Sequence, residues 1–144
     1  MIGEPIKILL IEDNIDHAEL VIRCFEKHRI MNSIYHVNDG EKAIDYLFGK
    51  NEFLNRAKFP IPNLILLDLR IPKIDGLEIL TQIKSNDELK FIPVVVLSSS
   101  ENEKDIHTAY SQYVNSYLVK PLDFDKFSSM MEELGFYWLG WNKF

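Results

Sequence analysis

Along most of this chain, short apolar runs alternate with stretches of helical period. Residues 6–11, IKILLI, are aliphatic except for Lys7 and stop at Glu12-Asp13-Asn14. So continuous a run reads as a strand buried on both faces. Ala18, Val21, Ile22 and Phe25 then recur at helical spacing, with Asp16 in place to cap that helix. Residues 33–37, SIYHV, are a second short strand, closed by Asn38-Asp39-Gly40 as a turn, and Ala43, Ile44, Leu47 and Phe48 give the next helix its apolar face. Residues 64–67, LILL, predict a third strand, and Leu77, Ile79, Leu80 and Ile83 a third helix over 76–84. Residues 93–97, PVVVL, predict a fourth strand, since proline is tolerated at a strand's first residue. A weakly apolar helix follows near 103–113, carrying Ile106, Ala109, Tyr110 and Tyr113, and then a fifth strand at 115–119, NSYLV. The last helix begins near Asp123, with Phe124, Phe127, Met131, Leu134, Trp138 and Trp141 on one face. Only the segment 49–63 lacks a period, and with two prolines it is longer than an ordinary connection.

Five β-α units in succession predict an α/β domain, a parallel sheet with helices on both faces. At 144 residues the chain is sized for one such domain, and 47% hydrophobic residues suffice for its core. A net charge of −6 lacks the basic footprint of a nucleic-acid binder. No apolar run approaches the ~20 residues that span a bilayer, and the N-terminus does not read as a secretory signal. The single cysteine, Cys24, has no partner for a disulfide within the chain. A cytoplasmic location is the expectation.

In an open parallel sheet, ligands bind outside the carboxyl ends of the strands. Glu12 and Asp13 follow the first strand, Asp68 the third, Ser98 and Ser99 the fourth, and Lys120 the fifth. Each alone has an ordinary role as a cap or loop residue. Together they gather three acids, a hydroxyl and an amine at one rim. Two unit charges ~5 Å apart repel by roughly 3 kcal/mol at an effective dielectric of ~20, so three carboxylates there call for a cation or raised pKa values. Oxygen ligands open to solvent suit Mg²⁺ or Mn²⁺. A metal, a lysine and a hydroxyl around one carboxylate suit a transferring phosphoryl group, with the Asp carboxylate as nucleophile.

The pieces LLIEDN, NDGEKAI, LILLDLRIPKIDGLEIL, IPVVVLSSS and YLVKPLD resemble, in order and spacing, the receiver domain of two-component response regulators over about residues 5–133. The resemblance implies a flavodoxin-like fold with strand order 2-1-3-4-5. By position it implies Asp68 as phosphoacceptor, with Asp13 and one Asp68 oxygen binding Mg²⁺ directly. Glu12 would hold the metal through water, and the Arg70 backbone carbonyl would complete the protein's share. Ser98 matches the switch hydroxyl and Tyr117 the switch aromatic that moves with it. Lys120 would pair with a phosphoryl oxygen, and Pro121 stands where the family often has a cis-proline. The implied chemistry is phosphoryl transfer from a phosphohistidine on a sensor histidine kinase, followed by self-catalysed loss. That makes a signalling phosphoacceptor rather than a turnover enzyme, with the last two strands and helices as output surface. It would act through a downstream protein or a phosphorelay. The Glu-Asp pair, the long segment before the third strand and the aromatic end of the last helix narrow the resemblance to small single-domain regulators paired with bacterial phytochromes.

Two residues are expected to tune the chemistry: Arg70, by shielding or pairing with the phosphoryl group, and Ser100. The receiver domain is assigned to residues 1–134, with 135–144, GFYWLGWNKF, as an aromatic extension of the last helix and no separate output domain. Phe136, Tyr137, Trp138 and Trp141 either fold back on the core or, with Tyr110, Tyr113 and Phe127, form a self-association surface. Homodimerisation is the expectation. His17, His28, His36 and His107 have no metal-ligand spacing and are expected at or near the surface. Haloacid dehalogenase-type phosphatases also place a nucleophilic Asp after a strand, but they need a second Asp two residues later, where this chain has Arg70. A binding module that works without phosphorylation would typically lose an acid or the lysine, and all five positions are kept.

Overall fold

A computed structural model of the protein describes residues 6–27, 32–98, 103–114 and 116–119, with Asp125 and Ser129. It contains β1 (Ile6–Ile11), α1 (Ile15–Lys27), β2 (Asn32–Val37), α2 (Gly40–Phe48), β3 (Leu64–Asp68), α3 (Gly76–Ser85), β4 (Val94–Ser98), α4 (Glu103–Ser111) and β5 (Ser116–Val119). The strands form one parallel sheet in the order β2-β1-β3-β4-β5, as expected of a flavodoxin-like fold. Of the expected last helix only Asp125 and Ser129 are described, both helical, and the aromatic segment 135–144 lies outside the described residues.

The continuous apolar strands are buried because both sheet faces are covered. Ile8, Leu10, Leu64, Leu66, Val95 and Leu97 point to one face, where α1 supplies Ala18, Val21 and Phe25. Leu9, Ile11, Ile65, Leu67, Val94 and Val96 point to the other, against Ala43 and Leu47 of α2, Ile79, Leu80 and Ile83 of α3, and Ala109 of α4. Each fully buried aliphatic side chain contributes about 1.5–3 kcal/mol, so the central strands are the rigid part of the molecule.

Element ends differ from expectation where polar side chains compete for backbone. Asn14, not Asp16, caps α1: its Oδ1 accepts the His17 N–H at 3.2 Å, and Asp16 falls in the first turn. Pro93 lies just before β4, where its carbonyl accepts the Ile65 N–H. The fourth helix stops at Ser111, and Tyr113 takes a left-handed φ of 63° outside it.

The segment 49–63 is more ordered than its composition suggested. It opens with a 3₁₀ turn, Asn51–Phe53, after Gly49 ends α2 at φ 64°. The Arg56 guanidinium then donates to carbonyls at the end of α2: Nη1 to that of Tyr46 at 2.7 Å, which also accepts the Gly49 N–H, and Nη2 to that of Leu47 at 2.8 Å. Tyr46, fully buried, meets Phe53 at a tilt and Phe59 edge to face, and its hydroxyl donates to the Pro60 carbonyl at 2.9 Å. These rings close the core where the sheet ends beside β2. Among the described residues, no helix is long and apolar enough to cross a membrane.

Candidate functional site

Strand register delivers the polar residues to one rim. Ile11 pairs with Leu67, so Glu12 stands level with Asp68. Asp68 pairs with Leu97, and Ser98 is one step beyond it. Glu12, Asp13 and Asp68 each offer an oxygen within 4.8 Å of the others. Glu12 and Ser98 are fully buried, Asp68 nearly so, while Asp13 is exposed. This donor set is all carboxylate, anionic and open on the Asp13 side. It fits a hard divalent cation that keeps part of its water.

Asp68 and Glu12 are each fixed by local backbone. The Asp68 Oδ1 accepts the Arg70 N–H at 3.0 Å, which orients the carboxylate in the turn that leaves β3. Glu12 Oε2 accepts the Asn14 N–H at 3.2 Å, and the Glu12 N–H donates to the Val37 carbonyl at 3.1 Å. Two histidines without any ligand-like spacing converge here. His36 Nε2 donates to the Glu12 carbonyl at 2.6 Å, and His17 Nδ1 lies 3.8 Å from Glu12 Oε1.

The loop after β3 is held from two sides. Gly76 admits no side chain: a Cβ there would stand 2.7 Å from the Asp68 carbonyl oxygen. Its N–H closes the loop on the Leu69 carbonyl at 3.0 Å. On the far side, the Gly40 N–H donates to the Pro72 carbonyl at 2.9 Å, and the Ile74 carbonyl occupies the space that a Gly40 Cβ would need. Between them Lys73 adopts φ 72°, with Ile74 N–H bonded back to the Pro72 carbonyl at 3.0 Å, a γ-turn. Its Nζ lies 3.6 Å from Asp39 Oδ2 and 3.9 Å from Glu41 Oε2. Asp39 is thus more than a turn residue: it also caps α2 through the Lys42 N–H at 2.8 Å. Nothing in the sequence around Lys73 announces this contact, because both partners are found only once the loop is closed.

Arg70, expected to shield or pair with the phosphoryl group, has a carboxylate neighbour at the rim. Its guanidinium points along the rim to α4, where Nη2 lies 2.8 Å from Asp105 Oδ2. Asp105 was not among the residues singled out by sequence. Tyr117 is half-buried on β5 and packs against the core face shared with α3 and α4. Tyr110 and Tyr113 are exposed, at 48% and 82%. Lys120, Pro121, Ser99, Ser100, Phe127, Phe136, Tyr137, Trp138 and Trp141 lie outside the described residues.

The response regulator receiver domain family matches residues 8–132. The probable methanogenesis regulatory protein FilR2 of Methanothrix harundinacea is 47% identical over 140 residues, covering 97% of this chain and 88% of that protein. Among solved structures, the phosphorylated cyanobacterial phytochrome response regulator RcpA superposes with a TM-score of 0.81 at 38% identity, covering 94% of each chain. The Mn²⁺-bound form of response regulator Rcp1 does so with a TM-score of 0.81 at 39% identity, covering 94% of this chain and 95% of that one.

Proposed function

The chain belongs to the response regulator receiver domain family, and we propose that it accepts a phosphoryl group on Asp68 from a phosphohistidine of a sensor histidine kinase. The observation that carries this is the placing of Asp68, nearly buried and oriented by the Arg70 N–H, level with Glu12 and beside Asp13. An Asp68 carboxylate oxygen attacks phosphorus, and the bond to the donor imidazole breaks with its electron pair going to nitrogen, which takes up a proton. Asp13, Asp68 and the Arg70 carbonyl are the proposed direct ligands of Mg²⁺, with Glu12 acting through water. When bound, that ion neutralises charge on the transferred oxygens. Mn²⁺ in the Rcp1 structure supports a divalent site of this type. Ser98 and Lys120 are the proposed partners of the remaining phosphoryl oxygens.

The reaction is one transfer per signal, followed by self-catalysed loss to water, so the protein is a switch and not a turnover enzyme. Movement of Ser98 toward the phosphoryl group draws Tyr117 with it and biases the surface of β4, α4 and β5. Exposed Tyr110 and Tyr113 on that side support self-association into a homodimer, or docking of a downstream protein. A phytochrome-type kinase is the proposed donor, from the structural likeness to RcpA. The higher identity to FilR2 favours a second donor class, a kinase of methanogenesis regulation. Mixing the protein with autophosphorylated kinases of both classes tests this. The cognate kinase transfers its label within seconds to the native protein and not to Asp68→Asn. Failure of every histidine kinase to transfer would refute the proposal.

A further inference from the structure

We infer that Asp105 is a positioning residue for the chemistry at Asp68: it holds the Arg70 guanidinium on α4 and competes for it with a phosphoryl group on Asp68. The inference rests on Asp68 being the phosphoacceptor, as proposed above. Arg70 is rooted at the site, since its own N–H binds Asp68 Oδ1 at 3.0 Å. Its side chain is 61% exposed, whereas that of Asp105, on α4, is only 17% exposed. One long cationic side chain therefore lies within reach of two anions. A singly charged carboxylate holds it at 2.8 Å. A phosphoryl group on Asp68 adds a dianion with three acceptor oxygens, to which a guanidinium binds in forked geometry.

The competition has two consequences. Once over the phosphoryl oxygens, the guanidinium lies on the solvent side of phosphorus, where hydrolytic water must approach. In that hydrolysis, water oxygen bonds to phosphorus, the phosphorus–oxygen bond to Asp68 breaks with its electron pair returning to the carboxylate, and water gives up a proton to yield inorganic phosphate. Asp105 draws the guanidinium away from that path and so shortens the life of the phosphorylated state. By linkage, capture of Arg70 by the phosphoryl group breaks the Arg70–Asp105 pair and loosens a tie between the β3 loop and α4. This signal reaches α4 by a route other than Ser98 and Tyr117.

The test is a double-mutant cycle on the half-life of phosphoryl label, introduced with acetyl phosphate and Mg²⁺. Asp105→Asn is expected to lengthen the half-life roughly two- to fivefold, the range one partly exposed charge contact supports. In an Arg70→Ala background the same change is expected to do nothing, and Asp105→Glu, which keeps the pair, should restore wild-type decay. General loosening of α4 would act equally in both backgrounds. An unchanged or shorter half-life in Asp105→Asn, or an equal effect with and without Arg70, overturns the inference alone. Absence of label on the native protein overturns the proposed function, and the inference with it.

Discussion

Lys73 and Asp39 lie 3.6 Å apart, Nζ to Oδ2, across the gap between the loop after β3 and the capping residue of α2. The lysine holds a left-handed φ of 72° to make that contact. Such a conformation costs an L-residue roughly 1–2 kcal/mol, and glycine escapes it. Ion pairs with one partner open to solvent return about 1 kcal/mol. Lys73→Gly and Lys73→Ala both lose the pairs, but only alanine keeps the strain. Chemical denaturation should therefore rank Lys73→Gly about 1 kcal/mol above Lys73→Ala. Equal stabilities would mean that the loop does not take this turn.

Gly40 is the second post under the same loop. A methyl group there meets the Ile74 carbonyl, so Gly40→Ala must push the loop outward, at roughly 1–3 kcal/mol. Because Arg70 lies on that loop, divalent-metal affinity should fall along with stability. A variant that loses stability while titrating metal like the native protein would separate the loop from the site.

The acids at the rim predict opposite effects with and without metal. Glu12, Asp13 and Asp68 repel one another within 4.8 Å. Asp13 is exposed, which screens the repulsion to about 1 kcal/mol. In chelator, Asp13→Asn should be more stable than the native protein by about that amount. At Mg²⁺ a hundredfold above its Kd, the native protein should gain about 2.7 kcal/mol and Asp13→Asn much less. Thermal unfolding in paired buffers reads both, and a mutant that gains as much from Mg²⁺ as the native protein would remove Asp13 from the ligand set.

Tyr46 sets an alkaline limit. Burial, reinforced by Tyr35 and opposed by Arg56, raises its phenol well above the ordinary 10.0. The unfolded chain therefore loses this proton first. The stability due to the neutral phenol is full below pH 10 and is lost as pH rises from 10 toward the folded value. Tyr46→Phe removes the bond to Pro60 and costs about 1 kcal/mol at pH 8. The gap to the native protein should close above pH 10. A gap that stays constant to pH 11 would contradict it.

Much of this architecture was legible in residue order. Runs such as LILL and VVVL carry their burial in their composition, and parallel register then brings Glu12, Asp68 and Ser98 to one rim. What was not legible depends on closure. Arg56 reaches α2 carbonyls nine and ten residues back, and Lys73 finds Asp39, only after the chain has folded. Asp105 had no motif to mark it, and His17 and His36 meet Glu12 from separate elements without any spacing rule. The contact of Arg70 with Asp105 joins two elements 35 residues apart, which sequence pattern does not reveal.

Asp68 is the proposed acceptor, and its neighbouring acids make acceptance depend on a divalent cation. Intact-mass spectrometry after incubation with acetyl phosphate tests it directly. With Mg²⁺, one base-labile phosphoryl group should appear on the native protein, map to the peptide containing Asp68, and be lost with chelator or in Asp68→Asn. Undiminished labelling of Asp68→Asn, or labelling of the native protein that ignores chelator, would contradict the account.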